Sequence, residues 1–238
     1  MSYGFQFINT SGFVVVDDQF VRLRLISSGT LAASNSTIGW RSIPIPSGTT
    51  GPILVFVQPH SLNSYIGHSN TFAAPGNVSC LSTSAFNYKI YSADATPLIF
   101  ESTHGLEVFN SSGALTFSSK YRYPRVVGVY QGSVGVANTS FPYPKTFTID
   151  GNDSGSIPWV MLNNLVSSPF GVGSEEGMYY GVCARFTSNT VCEIRLFDVT
   201  MYIDIFSDPW NNTTSERTAF DPYRSDRISS NPQFVFAV

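Results

Sequence analysis

Apolar and polar residues alternate along most of this chain, and they do so with a period of two. "RLRLIS" (22–27), "FNYKIYS" (86–92), "KTFTID" (145–150) and "YYGVCARF" (179–186) place every second side chain on one face, the spacing of a half-buried strand. "PILVFVQP" (52–59), "RVVGVYQ" (125–131) and "IPWVML" (157–162) carry strand signals as well. The run "VCEIRLFDVTMYIDIF" (191–206) begins by alternating and becomes apolar on both faces at Met201–Phe206. No window of about 11 residues carries the 3.6-residue period of an amphipathic helix. Only "VMLNNLV" (160–166) has room for one helical turn. Clusters such as "PSGTTGP" (46–52), "AAPGN" (73–77) and "GNDSG" (151–155) read as loops.

One pattern occurs twice. Tyr3–Ile26 aligns without gaps on His104–Val127, so that Gly4/Gly105, Asn9/Asn110, Ser11/Ser112, Gly12/Gly113 and Arg24/Arg125 coincide. Apolar positions match as well: Phe5/Leu106, Phe7/Val108, Val14/Leu115, Val16/Phe117 and Phe20/Tyr121. "NTSG" and "NSSG" are turn tetrads whose final Gly supplies a positive φ. Centring each hairpin on its tetrad pairs Phe7 with Val14 and Phe5 with Val16, and in the second copy Val108 with Leu115 and Leu106 with Phe117. All four pairs then share the buried face, with Gln6 and Glu107 turned to solvent.

A later hairpin turns at "TSNT" (187–190) and sets Val182 opposite Leu196, Ala184 opposite Ile194, and Phe186 opposite Cys192. Arg185 then faces Glu193 on the outer side, and Cys183 and Cys192 fall on opposite faces, where they cannot bond. The tail closes on "FVFAV" (234–238), either a final strand or an arm that docks on a neighbour. The expected fold is all-β, with two tandem antiparallel β-sandwich-like modules, 1–100 and 101–238. Each module opens on one of the similar hairpins, the boundary falls in "ADATPLIFEST" (93–103), and an extended tail ends the second.

Composition supports folded strands. Charged residues are only 12 % of the 238, against a usual share of about 25 %. The 42 % hydrophobic content is nevertheless enough to offset the entropy of ordering. With net charge −3 and no dense Lys/Arg run, neither nucleic acid nor membrane insertion is expected. No basic start followed by an apolar run marks a signal peptide, so synthesis in the cytosol is expected. Three cysteines, Cys80, Cys183 and Cys192, without CxxC spacing argue against a disulfide framework or zinc site. The Asn-x-Ser/Thr sites at Asn9, Asn35, Asn77, Asn110, Asn138, Asn152, Asn211 and Asn212 read as turn chemistry.

Candidate chemistry is sparse. His60, His68 and His104 share no metal-ligand spacing, and no nucleophile elbow, P-loop or dinucleotide motif is present. Asp150, Asn152 and Ser154 resemble the first ligands of a calcium loop, but the closing Glu is replaced by Met161. Asp17, Asp18, Glu101, Glu107, Glu175 and Glu176 are the acids from which a glycosidase pair would be drawn. Trp40, Trp159 and Trp210 lie near loops, where indoles can stack on sugar rings. The expectation is a protein that is not an enzyme, with no catalytic residue, metal or cofactor and with its binding residues unassigned.

The opening "MSYGFQFINTSGFVVVDD" resembles the start of small distal-tail proteins of long-tailed bacteriophages, with Met-x-Tyr-Gly, an alternating strand and a turn at Asn-x-Ser-Gly. "GLEVFNSSGALTFSS" (105–119) fits that pattern better still. The resemblance spans about 25 residues at each site. It implies a virion component of the tail tip, baseplate or fibre, made without a signal peptide and assembled with other tail proteins and with copies of itself, often as a trimer. Its loops would meet a bacterial surface receptor or glycan. A receptor- or carbohydrate-binding β-sandwich is the second expectation.

Overall fold

The computed structural model describes residues 6–8, 14–17, 22–32, 40–69, 76–93, 97–98, 105–131, 145–152, 154–172, 176–198 and 233–237. Seventeen strands appear among them. They are β1 (Gln6–Ile8), β2 (Val14–Asp17), β3 (Arg24–Leu31), β4 (Trp40–Pro44), β5 (Ile53–Pro59), β6 (Tyr65–Ser69), β7 (Asn77–Ser82), β8 (Phe86–Ser92) and β9 (Glu107–Phe109). They continue with β10 (Leu115–Ser118), β11 (Val126–Gln131), β12 (Lys145–Thr148), β13 (Trp159–Met161), β14 (Val166–Val172), β15 (Glu176–Ser188), β16 (Val191–Asp198) and β17 (Gln233–Ala237). One 3-10 turn, Leu162–Asn164, sits where the sequence left room for it. The chain is all-β, as its alternation predicts.

Two compact units are formed. The first comprises Met1–Ser28, Pro46–Leu54 and Lys89–Pro124; the second comprises Gly29–Ile45, Val55–Tyr88 and Arg125–Val238. The boundaries fall within β3, β5 and β8, so these strands belong in part to each unit.

In the second unit, one sheet has the order β12-β16-β15-β14-β6-β7-β4. Its β15/β16 hairpin pairs Val182 with Leu196, Ala184 with Ile194, Arg185 with Glu193 and Phe186 with Cys192, the register read from the sequence. The other edge of β15 pairs with β6 at Cys183–Arg185 and with β14 at Gly181 and before, so β14 enters where β15 leaves β6. The β14–β6 pairing is parallel; Pro169 of β14 lies beyond it, so its missing N–H costs no bond to β6. The other sheet has the order β11-β17-β13-β5-β8-β3. β17, the "FVFA" segment, pairs with both β11 and β13 of its own chain, which makes it a final strand.

Consecutive residues in a strand point to opposite faces, so consecutive burial means that both faces are covered. Val55, Phe56 and Val57 are all buried, as are Cys80 with Leu81 and Cys183 with Ala184. The 3-10 turn contributes Leu162 and precedes buried Leu165, while Asn163 Oδ1 accepts the Val55 N–H at 2.7 Å. All three cysteines are buried, and none of them forms a disulfide.

The first unit contains both copies of the repeated hairpin, with β2 beside β10. Their registers coincide at every described pair. Gln6–Asp17 corresponds to Glu107–Ser118, Phe7–Val16 to Val108–Phe117, and Ile8–Val14 to Phe109–Leu115. The repeat in sequence is therefore a repeat in pairing. The pairs expected from centring on the tetrad do not form. In the second copy Asn110 N donates to Ala114 O at 2.9 Å, and Asn110 Oδ1 accepts from Ala114 N at 2.8 Å. The strands thus close around three loop residues, with Gly113 at φ 80°. A bulge between Leu115 and Phe117 shifts the register once more. Phe109, not Val108, faces Leu115, so Val108 and Leu115 lie on opposite sides of the ribbon. Val108, Thr116 and Ser118 are buried, while Leu106 and Phe109 are exposed.

Two measurements test this account. A Cβ at Gly113 meets nothing within 4 Å, so only its backbone resists substitution; Gly113→Ala should cost about 1 to 2 kcal/mol. Phe186 is fully buried, and Phe186→Ala should cost about 3 to 5 kcal/mol in urea unfolding. An effect below about 1 kcal/mol at Phe186 would place it outside the core.

Candidate functional site

The densest chemistry among the described residues lies in the first unit, where three separated segments meet. Leu25 N donates to Arg122 O at 2.9 Å, and Leu98 N donates to Leu25 O at 2.8 Å. Arg24 Nη2 donates to Ala93 O at 2.5 Å, just beyond the end of β8. The Arg24 guanidinium carbon stands 5.4 Å from the centre of the Tyr121 ring, within cation–π range. Tyr123 stacks on Phe117 with centroids 5.2 Å apart and planes 11° from parallel. Its hydroxyl is anchored at both ends of one residue, accepting from Ser118 N and donating to Ser118 O, each at 2.9 Å.

Charge and burial shape the titration of this cluster. Burial raises the Tyr123 phenol, while its Ser118 bond and the positive charges of Arg24 and Arg22 pull it down. Burial lowers the Lys89 ammonium, and the nearby Arg122 adds to that effect. Arg22, Arg24, Tyr121 and Tyr123 are all half-buried, and Arg122 is exposed. The arrangement offers guanidinium donors beside aromatic faces.

The residues singled out in the sequence are dispersed. His60 Nε2 lies 2.9 Å from Asn87 Oδ1, which also accepts from Thr30 Oγ1 at 2.7 Å; Asn87 Nδ2 donates to Gln58 Oε1 at 3.2 Å. This chain of bonds ties β3, β5 and β8 together. His68 is half-buried on β6, and burial lowers its pKa. His104, Asp18, Glu101, Glu175, Trp210 and the segment 199–206 lie outside the described residues. Asp17 and Glu176 are placed on β2 and β15 by backbone, and Trp40 on β4. Glu107 is exposed and pairs with Lys120 at 3.3 Å. Trp159 is half-buried on β13.

Two Asn sites act as turn residues. Asn110 Oδ1 accepts from Ser112 N, Ser112 Oγ and Ala114 N. In the segment with calcium-like spacing, Asn152 Oδ1 accepts from Ser154 Oγ at 2.6 Å, and its Nδ2 donates to Ser156 O and Asn189 O. These bonds spend Asn152 and Ser154 on the loop itself. Among the described residues no group of three or more His, Cys, Asp or Glu is placed to hold a metal ion.

The arginine–tyrosine cluster was not found in the sequence, because its members are about a hundred residues apart. The signal available was the Phe20/Tyr121 and Arg24/Arg125 correspondence, which marked these stretches as equivalent but not as meeting.

Tyr91, buried on β8 and within reach of the Arg122 charge, provides a pH test. Burial pushes its phenol up from 10.0 to about 12, against the pull of Arg122. An unfolded tyrosine ionises near pH 10. Between about pH 10 and about pH 12 the native chain therefore holds a proton that the unfolded chain has lost. The stability linked to Tyr91 is complete below that window and is lost as the pH rises through it. Urea midpoints measured across the window should fall less steeply in Tyr91→Phe than in the wild type, and equal slopes would contradict the assignment. Neither a family model, a curated protein nor a solved structure matches the chain.

Proposed function

We propose that the protein is a structural component of a bacteriophage tail tip, baseplate or fibre. It is made in the host cytoplasm and carried in the virion, where it joins copies of itself and other tail proteins and helps attach the particle to its host. It acts by holding geometry rather than by catalysis, and it takes no cofactor.

The observation that carries this reading is the exposure of large apolar side chains on or beside regular strands. In the first unit Leu106 and Phe109 are 45 % and 51 % exposed. In the second, Val126 and Val129 on β11 are 49 % and 59 % exposed. β11 stands last in its sheet's strand order, and an edge strand with apolar side chains is a template for a further contact. The low charge and the duplicated ribbon, which carries the tail-protein resemblance, support the same reading. An assembly held this way would bury upward of about 2,000 Å² between subunits.

A receptor- or carbohydrate-binding module is the second reading, favoured by the cluster of Arg22, Arg24, Tyr121 and Tyr123. Sedimentation velocity separates the two. The structural reading expects a trimer or larger, shifted toward monomer by Phe109→Glu or Val129→Glu without loss of the urea midpoint extrapolated to monomer. A wild-type monomer that binds cell-surface polysaccharide would favour the second reading instead.

A further inference from the structure

Arg24 opens β3 and Arg22 lies two residues before it, and the positive charges of both act on the Tyr123 phenol. Both are half-buried. Among the described residues Arg24 makes one hydrogen bond, to a main-chain carbonyl, and stacks on Tyr121. Its Nε is shielded from water and has no hydrogen-bond partner. Neither arginine forms an ion pair among the described residues, whereas Lys120 pairs with Glu107 and Arg185 with Glu193. The contrast with Arg185 is direct. That guanidinium also lies over a tyrosine, Tyr65, at 5.5 Å, but it donates twice to Glu193 and once to the Tyr65 hydroxyl. The same pairing of arginine with tyrosine is thus completed by a carboxylate in the second unit, and in the first it has none among the described residues.

We infer that Arg22 and Arg24, flanked by Tyr121 and Tyr123, bind the carboxylate of an acidic saccharide, the ligand class that the host-attachment reading calls for and on which this inference rests. A guanidinium presents a planar fork that matches a carboxylate, and a tyrosine ring offers an apolar face to sugar C–H groups. Unit charge favours this ligand over a polyphosphate. Arg22, Arg24, Lys89, Lys120 and Arg122 are matched in number by Asp17, Asp18, Asp94, Glu101 and Glu107 across the first unit. No long-range positive field therefore gathers a nucleic acid, whose binding depends on neutralising many phosphates. Recognition here is local and short-ranged.

Affinity electrophoresis in gels containing polygalacturonate tests the inference, with each mobility normalised to a polymer-free gel. The wild type should be retarded, dextran should have no effect, and added salt should release the protein. Arg22→Glu, at a side chain with no hydrogen bond or ion pair among the described residues, should weaken retardation by about tenfold or more, the loss of one charge-assisted contact. Tyr121→Phe, which keeps the ring, should retain binding, whereas Tyr121→Ala should lose it. No retardation of the wild type, or undiminished retardation of Arg22→Glu, overturns the inference. Stronger retardation by oligothymidylate than by polygalacturonate also overturns it, in favour of nucleic acid. Sedimentation of Arg22→Glu separates this failure from that of the assembly reading, because a trimer that ignores polygalacturonate leaves assembly standing.

Discussion

The register of β15 governs the larger sheet of the second unit. This thirteen-residue strand pairs with β16 along one edge and with β6 and then β14 along the other. Ala184 and Phe186 go to one face, and Arg185 goes to the other, against Tyr65 and Glu193. A slip of one residue would exchange the faces, moving a guanidinium into the place of a fully buried phenyl ring. Burying an unpaired charge costs far more than any gain from re-pairing the backbone. Arg185 and Phe186 therefore specify one alignment between them, and three neighbouring strands inherit it. Ion pairing is the smaller part of this effect, since the Arg185–Glu193 pair remains partly open to water.

That kind of constraint is visible in a sequence, because it lies in adjacent residues of opposite character. The β15/β16 hairpin, the strands at 53–59, 86–92 and 126–131 and the single 3-10 turn all follow from alternation, apolar runs and turn residues. β4, β6, β7 and β14 do not. "YIGHS", "NVSCLS" and "VSSPFGV" are rich in serine and glycine and contain few apolar residues. Their positions inside a sheet are held by main-chain bonds, and Ser79 and Ser82 are buried because small hydroxyls fit there. A hydroxyl that can bond its own backbone, as Ser82 does by donating to Ser84 O, tolerates a covered position that composition alone assigns to a loop.

The arginine–tyrosine cluster was hidden for a different reason. Arg22, Arg24, Tyr121 and Tyr123 have no mutual spacing to detect. Their meeting depends on long-range main-chain bonds, Leu25 to Arg122 and Leu98 to Leu25, that no local pattern encodes. Net charge gave no hint either, since opposite charges elsewhere in the same unit balance it. Pattern reading finds chemistry carried by one segment; chemistry assembled from several is found only once the topology is known.

The repeated ribbon shows what a duplicated sequence preserves. Its two copies differ at most of their apolar positions, with Phe7 answering Val108 and Val16 answering Phe117, yet every described pair matches, including the shift before the turn. What the copies share most closely is the polar tetrad and its glycine. In the second copy Asn110 holds Ser112 and Ala114 through one side-chain oxygen, and Gly113 takes the positive φ that closes the loop. Register follows from that corner, so the apolar residues are not needed to fix the pairing. A ribbon aligned by its turn can leave Leu106 and Phe109 in water without losing its alignment. An element of this kind has its shape set by its own corner, so its order does not have to be supplied by burial of those two side chains.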